Sequence, residues 1–465
     1  MKLLFIHGWS VTNTDTYGDL PEAIQSNVPA DFNLDIRHIF LGRYISFHDE
    51  VKVDDIARAF NKARLDAIGD EKFSCITHST GGPVIREWID QFYGAGNLAQ
   101  LPLTHLIMLA PANHGSALAQ LGKARLSRMK SWFEGVEPGQ GVLNWLELGS
   151  SEQRRLNMKW LKYVYRNTGF FPFVITGESI DKKLYDYLNS YTGEKGSDGV
   201  VRACSTNMNY SYVQLTQNTS VPLVKVVLDG RTVKAHPIEI ADDSLKDSPP
   251  CAFEVIPGTS HSGKKMGIMR CVTVENGASK PVVGSIVSAL KVKTYDEFTA
   301  LAHAMSKNTA ITQSREGSVK GSMLVFRVYD DRDNNITDFD MYLLATEKYS
   351  PENLPKGFFI DRQKNSVNRN QLTYFLNTNE MHKIGDKKVG FLIVARPDKG
   401  FSYYSPAVFK SGDFNLTVED ILKPNQTMLI DIKIKRHVDK EVCRLDKLKD
   451  GKKSFKKTTP SGQEV

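Results

Sequence analysis

The chain has little sulfur chemistry to offer. Its 465 residues hold five cysteines, with no C-x-x-C pair and no metal-ligand spacing. So sparse and odd a set points to reduced thiols rather than a disulfide framework, and no zinc site is expected. Long apolar runs are also missing. None approaches the ~20 residues that a membrane-spanning helix needs. The opening apolar stretch is broken at His7-Gly8, where the core of a secretory signal should continue, so no signal peptide is expected. There is no internal repeat and no G-x-G-x-x-G loop of the dinucleotide type. A net charge of +7 brings with it no zinc finger, helix-turn-helix or aromatic–basic alternation, so nucleic acid is not an expected partner. What remains is ordinary globular composition, 41% hydrophobic and 24% charged, in a chain long enough for two domains.

The most informative segment is Phe73-Ser-Cys-Ile-Thr-His-Ser-Thr-Gly-Gly-Pro83, followed by Val84-Ile-Arg-Glu-Trp-Ile-Asp-Gln-Phe92. A strand-forming run enters a tight turn bearing Ser79 and leaves as a helix. That is the context of a nucleophile elbow, in which the turn pushes the hydroxyl out above a sheet. Residues two positions either side of the serine must be small, because strand and helix nearly collide there. Gly81 meets that demand; Thr77 stands where glycine is usual. A second segment agrees. Lys2 to Ile6 reads as a buried strand ending in His7-Gly8-Trp9. In α/β-hydrolases the loop after an early strand gives one oxyanion-hole amide and the residue after the nucleophile gives the other, here Trp9 and Thr80.

A triad needs an acid and then a histidine, in that chain order. Asp198 lies in Gly196-Ser-Asp-Gly-Val-Val-Arg-Ala-Cys204, a glycine-rich turn; Asp181 and Asp186 lie in a polar helical stretch and are expected to be solvated. His261 lies in Phe253-Glu-Val-Ile-Pro-Gly-Thr-Ser-His-Ser-Gly263, a strand and then a loop. His236 is its rival, but Pro237 follows it and no strand–loop pattern frames it. His78 sits inside the elbow with its ring expected to point into the scaffold. His38, His48, His105 and His114 precede the acid. The catalytic set read from the sequence is therefore Ser79, Asp198 and His261, acting on acyl esters through an acyl-enzyme.

His7-Gly-Trp-Ser-Val-Thr-Asn-Thr-Asp-Thr-Tyr-Gly18 together with Thr77-His-Ser-Thr-Gly-Gly-Pro83 resembles the PlaB-type bacterial phospholipases A. In length and layout the likeness extends over the whole chain. It implies a phospholipase A and lysophospholipase A whose serine, aspartate and histidine fall on Ser79, Asp198 and His261. It implies a phospholipid membrane surface as partner, an envelope or outer-membrane location, a homo-oligomer (tetramer or dimer), and a nicotinamide nucleotide as regulator with no cofactor required for hydrolysis. The Asp-to-His segment is long, and Gln214 to Pro250 has the look of an insertion. A carboxylesterase or triacylglycerol lipase is the nearest alternative. A degenerate hydrolase serving as a membrane scaffold is the alternative of a different class.

Alternating strand-like and helical runs from Met1 to about Ser306 predict a parallel sheet covered by helices, an α/β-hydrolase domain over residues 1–306 with a helical cap at about 115–165. Leu118, Leu121, Met129, Trp132 and Phe133 fall near one helix face in that cap. They either pack on the core or form an apolar lid suited to an acyl chain. Thr294 and Glu297 form a capping-box pattern at the start of the last helix. Residues 307–321 read as a linker, 322–448 as a β-rich, sandwich-like domain, and 449–465 as a basic tail. Asp331-Arg-Asp333-Asn-Asn335 imitates a calcium loop but lacks the sixth-position glycine and twelfth-position glutamate, so a hairpin loop is expected. The lysines from Lys433 to Lys457 suit either a solvated edge or anionic lipid headgroups.

Overall fold

In a computed structural model the described residues are 1–8, 15–44, 50–120, 139–180, 194–228, 230–397 and 402–438. Six strands form an all-parallel sheet in the order Ala252–Ile256, Phe171–Gly177, Leu103–Leu109, Phe73–His78, Lys2–His7 and Asp35–Phe40. Both faces are covered, so the strands are apolar on both sides. Leu4, Ile6, Phe73 and Cys75 face a core shared with helices Val53–Ile68, Gly81–Phe92, Gln140–Leu146 and Ser151–Trp160. Leu3, Phe5 and Ile76 face the other, shared with Leu20–Asn27, Pro281–Leu290 and Tyr295–Thr312. The chain leaves Lys2–His7 toward one edge of the sheet and Phe73–His78 toward the other. The gap between the ends of these two strands is thus the topological switch point, where α/β sheets open a crevice.

The second sheet is mixed, with nine strands on its main path and two short ones beside it. It curls until strands far apart in the pairing order pack face to face. Phe326 meets Phe391 edge-on at 5.3 Å, and the Tyr374 hydroxyl donates to the Met341 carbonyl at 2.7 Å. This is the sandwich-like architecture expected of the C-terminal half. The apolar and β-branched runs at 372–377 and 427–433 predict strands, and Gln371–Asn377 and Thr427–Ile434 form there.

The division at residue 306 is corrected in two places. Strands Tyr210–Gln217 and Arg231–Ile240 belong to the second sheet, although they precede residue 306. Tyr210–Gln217 pairs in parallel with Thr427–Ile434 over seven residues. The block Gln214 to Pro250, set apart in the sequence, is thus an excursion that lends strands to the other sheet. In addition, helix Tyr295–Thr312 runs into the expected linker. Its capping box does form, Thr294 Oγ1 accepting from the Glu297 amide and Glu297 accepting from the Thr294 amide. Asp331 to Asn335 is a tight loop closed by Asp330, which accepts from the Arg332 and Asn334 amides. Of the expected cap, Leu118 is buried; Leu121, Met129, Trp132 and Phe133 lie outside the described residues, as do Asp181, Asp186, His48 and the tail 449–465.

Candidate active site

Ser79 holds a φ of +54°, a left-handed conformation that costs a non-glycine residue energy and persists only where surroundings enforce it. Its amide donates to Leu109 O at 3.0 Å, and its carbonyl accepts from Gly82 N at 3.3 Å and Ala112 N at 3.4 Å. Three segments therefore fix the turn. A methyl group on Gly81 would lie 3.1 Å from Thr77 Cβ, and one on Gly82 would lie 2.8 Å from Pro111 Cβ. The elbow is closed by side-chain bulk on the strand side and its absence on the helix side. This is how Thr77 occupies a position usually given to glycine.

Asp198 and His261, 63 residues apart, are joined twice. His261 Nδ1–H donates to Asp198 Oδ2 at 2.9 Å, and the His261 amide donates to the Asp198 carbonyl at 3.0 Å. The other carboxylate oxygen, Oδ1, accepts from the Val200 amide at 3.0 Å and the Val201 amide at 2.8 Å. Both side chains are 1% exposed or less. With Nδ1 committed to the carboxylate, Nε2 is the nitrogen left to accept a proton. The rival His236 lies on the second sheet, paired to the strand Ala407–Lys410.

His78 does not point into the scaffold. Its Nε2–H donates to the His261 carbonyl at 3.1 Å, and the two rings lie 4.5 Å apart. Desolvation, and then the neighbouring His261 ring, hold its pKa well below the ordinary imidazole value. A neutral His78 thus braces the His261 segment against the elbow. The same segment is seated from below by Gly177, where a methyl group would come within 2.6 Å of the Thr259 carbonyl carbon and closer still to its oxygen.

Thr80 heads the elbow helix Gly81–Phe92, and among the described residues no acceptor meets its amide. A helix N-terminus carries partial positive charge, so this amide can receive a developing anion. Trp9 lies outside the described residues. The strand leading to it is pinned by Tyr17, whose hydroxyl donates to Ile6 O at 2.7 Å and Ile76 O at 3.3 Å. Tyr17 thereby splints the two strands that flank the crevice. Sequence reasoning gave it no role, although it stands in the quoted N-terminal motif. His7 stacks on Phe40 and shares a 2.9 Å hydrogen bond with His38; burial, and then His38, push its pKa down to about 3. His105 bonds Ser74 and Val292, and His114 bonds Asn157, so both are structural. No group of three or more potential metal ligands occurs among the described residues.

No protein-family model matches the chain, and no curated protein does. Solved structures do. Phospholipase PlaB from Legionella pneumophila is 41% identical over 100% of this chain and 99% of its own, with a TM-score of 0.84. The phospholipase PlaB from Legionella pneumophila in complex with thio-NAD is 40% identical over the full length of both chains, with a TM-score of 0.83.

Proposed function

Since the chain belongs to the PlaB family of bacterial phospholipases, and is on that ground an ester-hydrolysing enzyme, we propose that it cleaves phospholipids and lysophospholipids through Ser79, His261 and Asp198. The observation that carries this reading is the buried Asp198–His261 pair braced by His78 against a serine in a strained turn. Ser79 Oγ attacks the ester carbonyl carbon while His261 Nε2 takes its proton. The oxyanion that forms is received by the Thr80 amide, with Trp9 as its partner; one such donor is worth roughly 3 kcal/mol of barrier. The carbon–oxygen bond to the glycerol side then breaks, and that oxygen leaves with the proton from His261. Water attacks the acyl-enzyme, again giving its proton to His261, and fatty acid departs as Ser79 is restored. Asp198 keeps Nδ1 protonated and steadies the imidazolium.

A nicotinamide nucleotide, bound by the Legionella protein as thio-NAD, is carried over as a regulatory ligand that no step above requires. One polar cleft, between helix Tyr295–Thr312 and Pro424–Gln426, is lined by Asn207, Asn209, His303 and Gln426, with no Lys or Arg among its lining residues. Attachment to a phospholipid surface and homo-oligomerisation are part of the same proposal. No described helix is long and apolar enough to cross a membrane.

Fatty-acid release from diacyl phospholipid, lysophospholipid, triacylglycerol and a short-chain ester tests the reading. Release from the first two, abolished in Ser79→Ala, is expected. Turnover confined to triacylglycerol or the short ester makes the protein a lipase or carboxylesterase. Failure of a fluorophosphonate to label wild type would overturn Ser79 as the nucleophile.

A further inference from the structure

The loop that carries Asp198 is not held by the parallel sheet alone. Gly196, at φ +79°, turns it so closely against the C-terminal half that a methyl group there would lie 2.9 Å from Val319 O. The loop closes on itself, Ala203 N donating to Gly196 O at 3.0 Å and Ser197 bridging Arg202. Arg202 comes directly after Val201, whose amide holds the Asp198 carboxylate. Its side chain is 2% exposed. Nε and Nη2 each donate to the Glu194 carboxylate at 2.8 Å, and Nη2 also bonds Asp361 Oδ2. The guanidinium lies 4.3 Å over the Phe375 ring. Asp361 and Phe375 belong to neighbouring strands of the second sheet, Phe359–Lys364 and Gln371–Asn377.

A buried ion pair is a poor device for stability, because desolvation offsets most of its attraction. What a guanidinium fork between two carboxylates supplies is direction, since its donors are planar and fixed. Here the fork is one residue from an amide that holds the acid. We infer that Arg202, gripped by Asp361, is a positioning residue that sets Asp198 against His261, and that the second sheet is thereby part of the catalytic apparatus. This inference rests on the proposed role of Asp198.

Asp361→Asn in the full-length chain is the test. It keeps the Glu194 side of the fork and adds no bulk. A shift on the order of 1 Å at a reacting group costs roughly 100-fold. A fall in kcat of about 10- to 100-fold with KM within about twofold is therefore expected. Asp361→Glu should recover part of the loss. The deciding readout is the rate of fluorophosphonate labelling of Ser79 in the Asp198→Asn background. With the acid already disabled, Asp361→Asn should slow labelling no further, because residues acting as a unit are non-additive. The same factor in both backgrounds would make the fork a structural clamp and overturn the inference, as would an Asp361→Asn enzyme with wild-type kcat. Should Asp361→Asn fail to fold, Arg202→Lys, which keeps the charge and loses the fork, takes its place with the same expectations. If Asp198→Asn itself turns over normally, the acid assignment fails and this inference with it. A crippled Asp198→Asn beside an unaffected Asp361→Asn sinks the inference alone.

Discussion

Gly177→Ala should disable the enzyme without touching any reacting group. Gly177 ends strand Phe171–Gly177 beneath the segment that carries His261. A methyl group there would stand 2.6 Å from the Thr259 carbonyl carbon and closer to its oxygen, below the 3.0 Å that Cβ contacts respect. Both atoms are backbone and cannot swing aside. The neighbouring strands leave little retreat, since Gly177 pairs with Ile256 and Ser179 N donates to Thr259 O at 3.0 Å. The segment from Thr259 to His261 must lift. His261 Nδ1 sits 2.9 Å from Asp198 Oδ2, so a lift on the order of 1 Å breaks that bond, with an expected loss of about 100-fold in kcat. Overpacking a core in this way costs about 1–3 kcal/mol, which lowers Tm by only a few degrees per kcal/mol in a chain of this size. Loss of activity should therefore outrun loss of fold. Gly284→Ala is the control: it lies exposed within helix Pro281–Leu290 with nothing within 4 Å, and alanine there should raise Tm slightly. Soluble-ester turnover, fluorophosphonate labelling and a melting curve on all three proteins decide the matter. A folded Gly177→Ala enzyme that keeps more than about a third of wild-type kcat would refute the argument, because loss of the imidazole's seat ought to cost far more.

If Ser79 is the nucleophile as proposed, Ser79→Ala should lose essentially all fatty-acid release with an unchanged melting curve, since loss of a triad member typically costs ~10⁴-fold or more. His261→Asn should match it while His236→Asn, on the second sheet, stays mild; the opposite pattern would undo the base assignment. Folding lowers the His7 pKa from 6.5 to about 3, and His114 is likewise held to about 3 by burial and by Arg86. Between those values the unfolded chain binds more protons, so stability is full above about pH 6.5 and drains away as pH falls toward 3. Urea midpoints of wild type should therefore drop more steeply on acidification than those of a His7→Gln, His114→Gln variant; equal slopes would count against it. Removing residues after Val442 should leave soluble-ester hydrolysis intact and weaken sedimentation with anionic vesicles, in proportion to about 1 kcal/mol per basic residue lost and less so in high salt. Binding indifferent to salt and truncation would move the membrane contact elsewhere.

Much of this was legible because single-sequence signals are strongest where the backbone is most constrained. Phe73 to Phe92 announces a strand, a turn and a helix through apolar period, glycines and helix formers, and the structure follows nearly to the residue. For the same reason, residues 35–40 read as a strand and 53–68 as a helix, and Asp35–Phe40 and Val53–Ile68 form over those bounds. The excursion was legible only as unusual length. Tyr210–Gln217 is rich in β-branched and aromatic residues, but nothing local distinguishes a partner four residues away from one at Thr427–Ile434. In edge strand Phe359–Lys364 the charged residues mask the alternation, so its sequence carries no clear strand signal, as edges often do not. At the site, Ser79, Asp198 and His261 could be proposed from their turns. The brace from His78 and the splint from Tyr17 could not, because each depends on a carbonyl whose position only the folded chain supplies.

The excursion has a mechanical consequence for the Asp198–His261 pair. After Asp198 the chain crosses to the second sheet, lays down Tyr210–Gln217 and Arg231–Ile240, and returns to the parallel sheet at Ala252–Ile256 before reaching His261. The histidine is fixed from the parallel-sheet side, by Gly177 below and His78 beside it. The aspartate's loop is held from both sides, by Ser116 Oγ donating to Val200 O at 2.7 Å on the parallel-sheet side and by Gly196 against Val319 and Arg202 with Asp361 on the other. The two hydrogen bonds between Asp198 and His261, at 2.9 and 3.0 Å, link these supports. Ser79 is set by the elbow turn together with Leu109 and Ala112, apart from the Arg202 fork. That separates two ways of losing activity. On the proposed mechanism, damage to the elbow is expected to remove the nucleophile, whereas damage at the Arg202 fork is expected to leave Ser79 present, correctly turned, and slow.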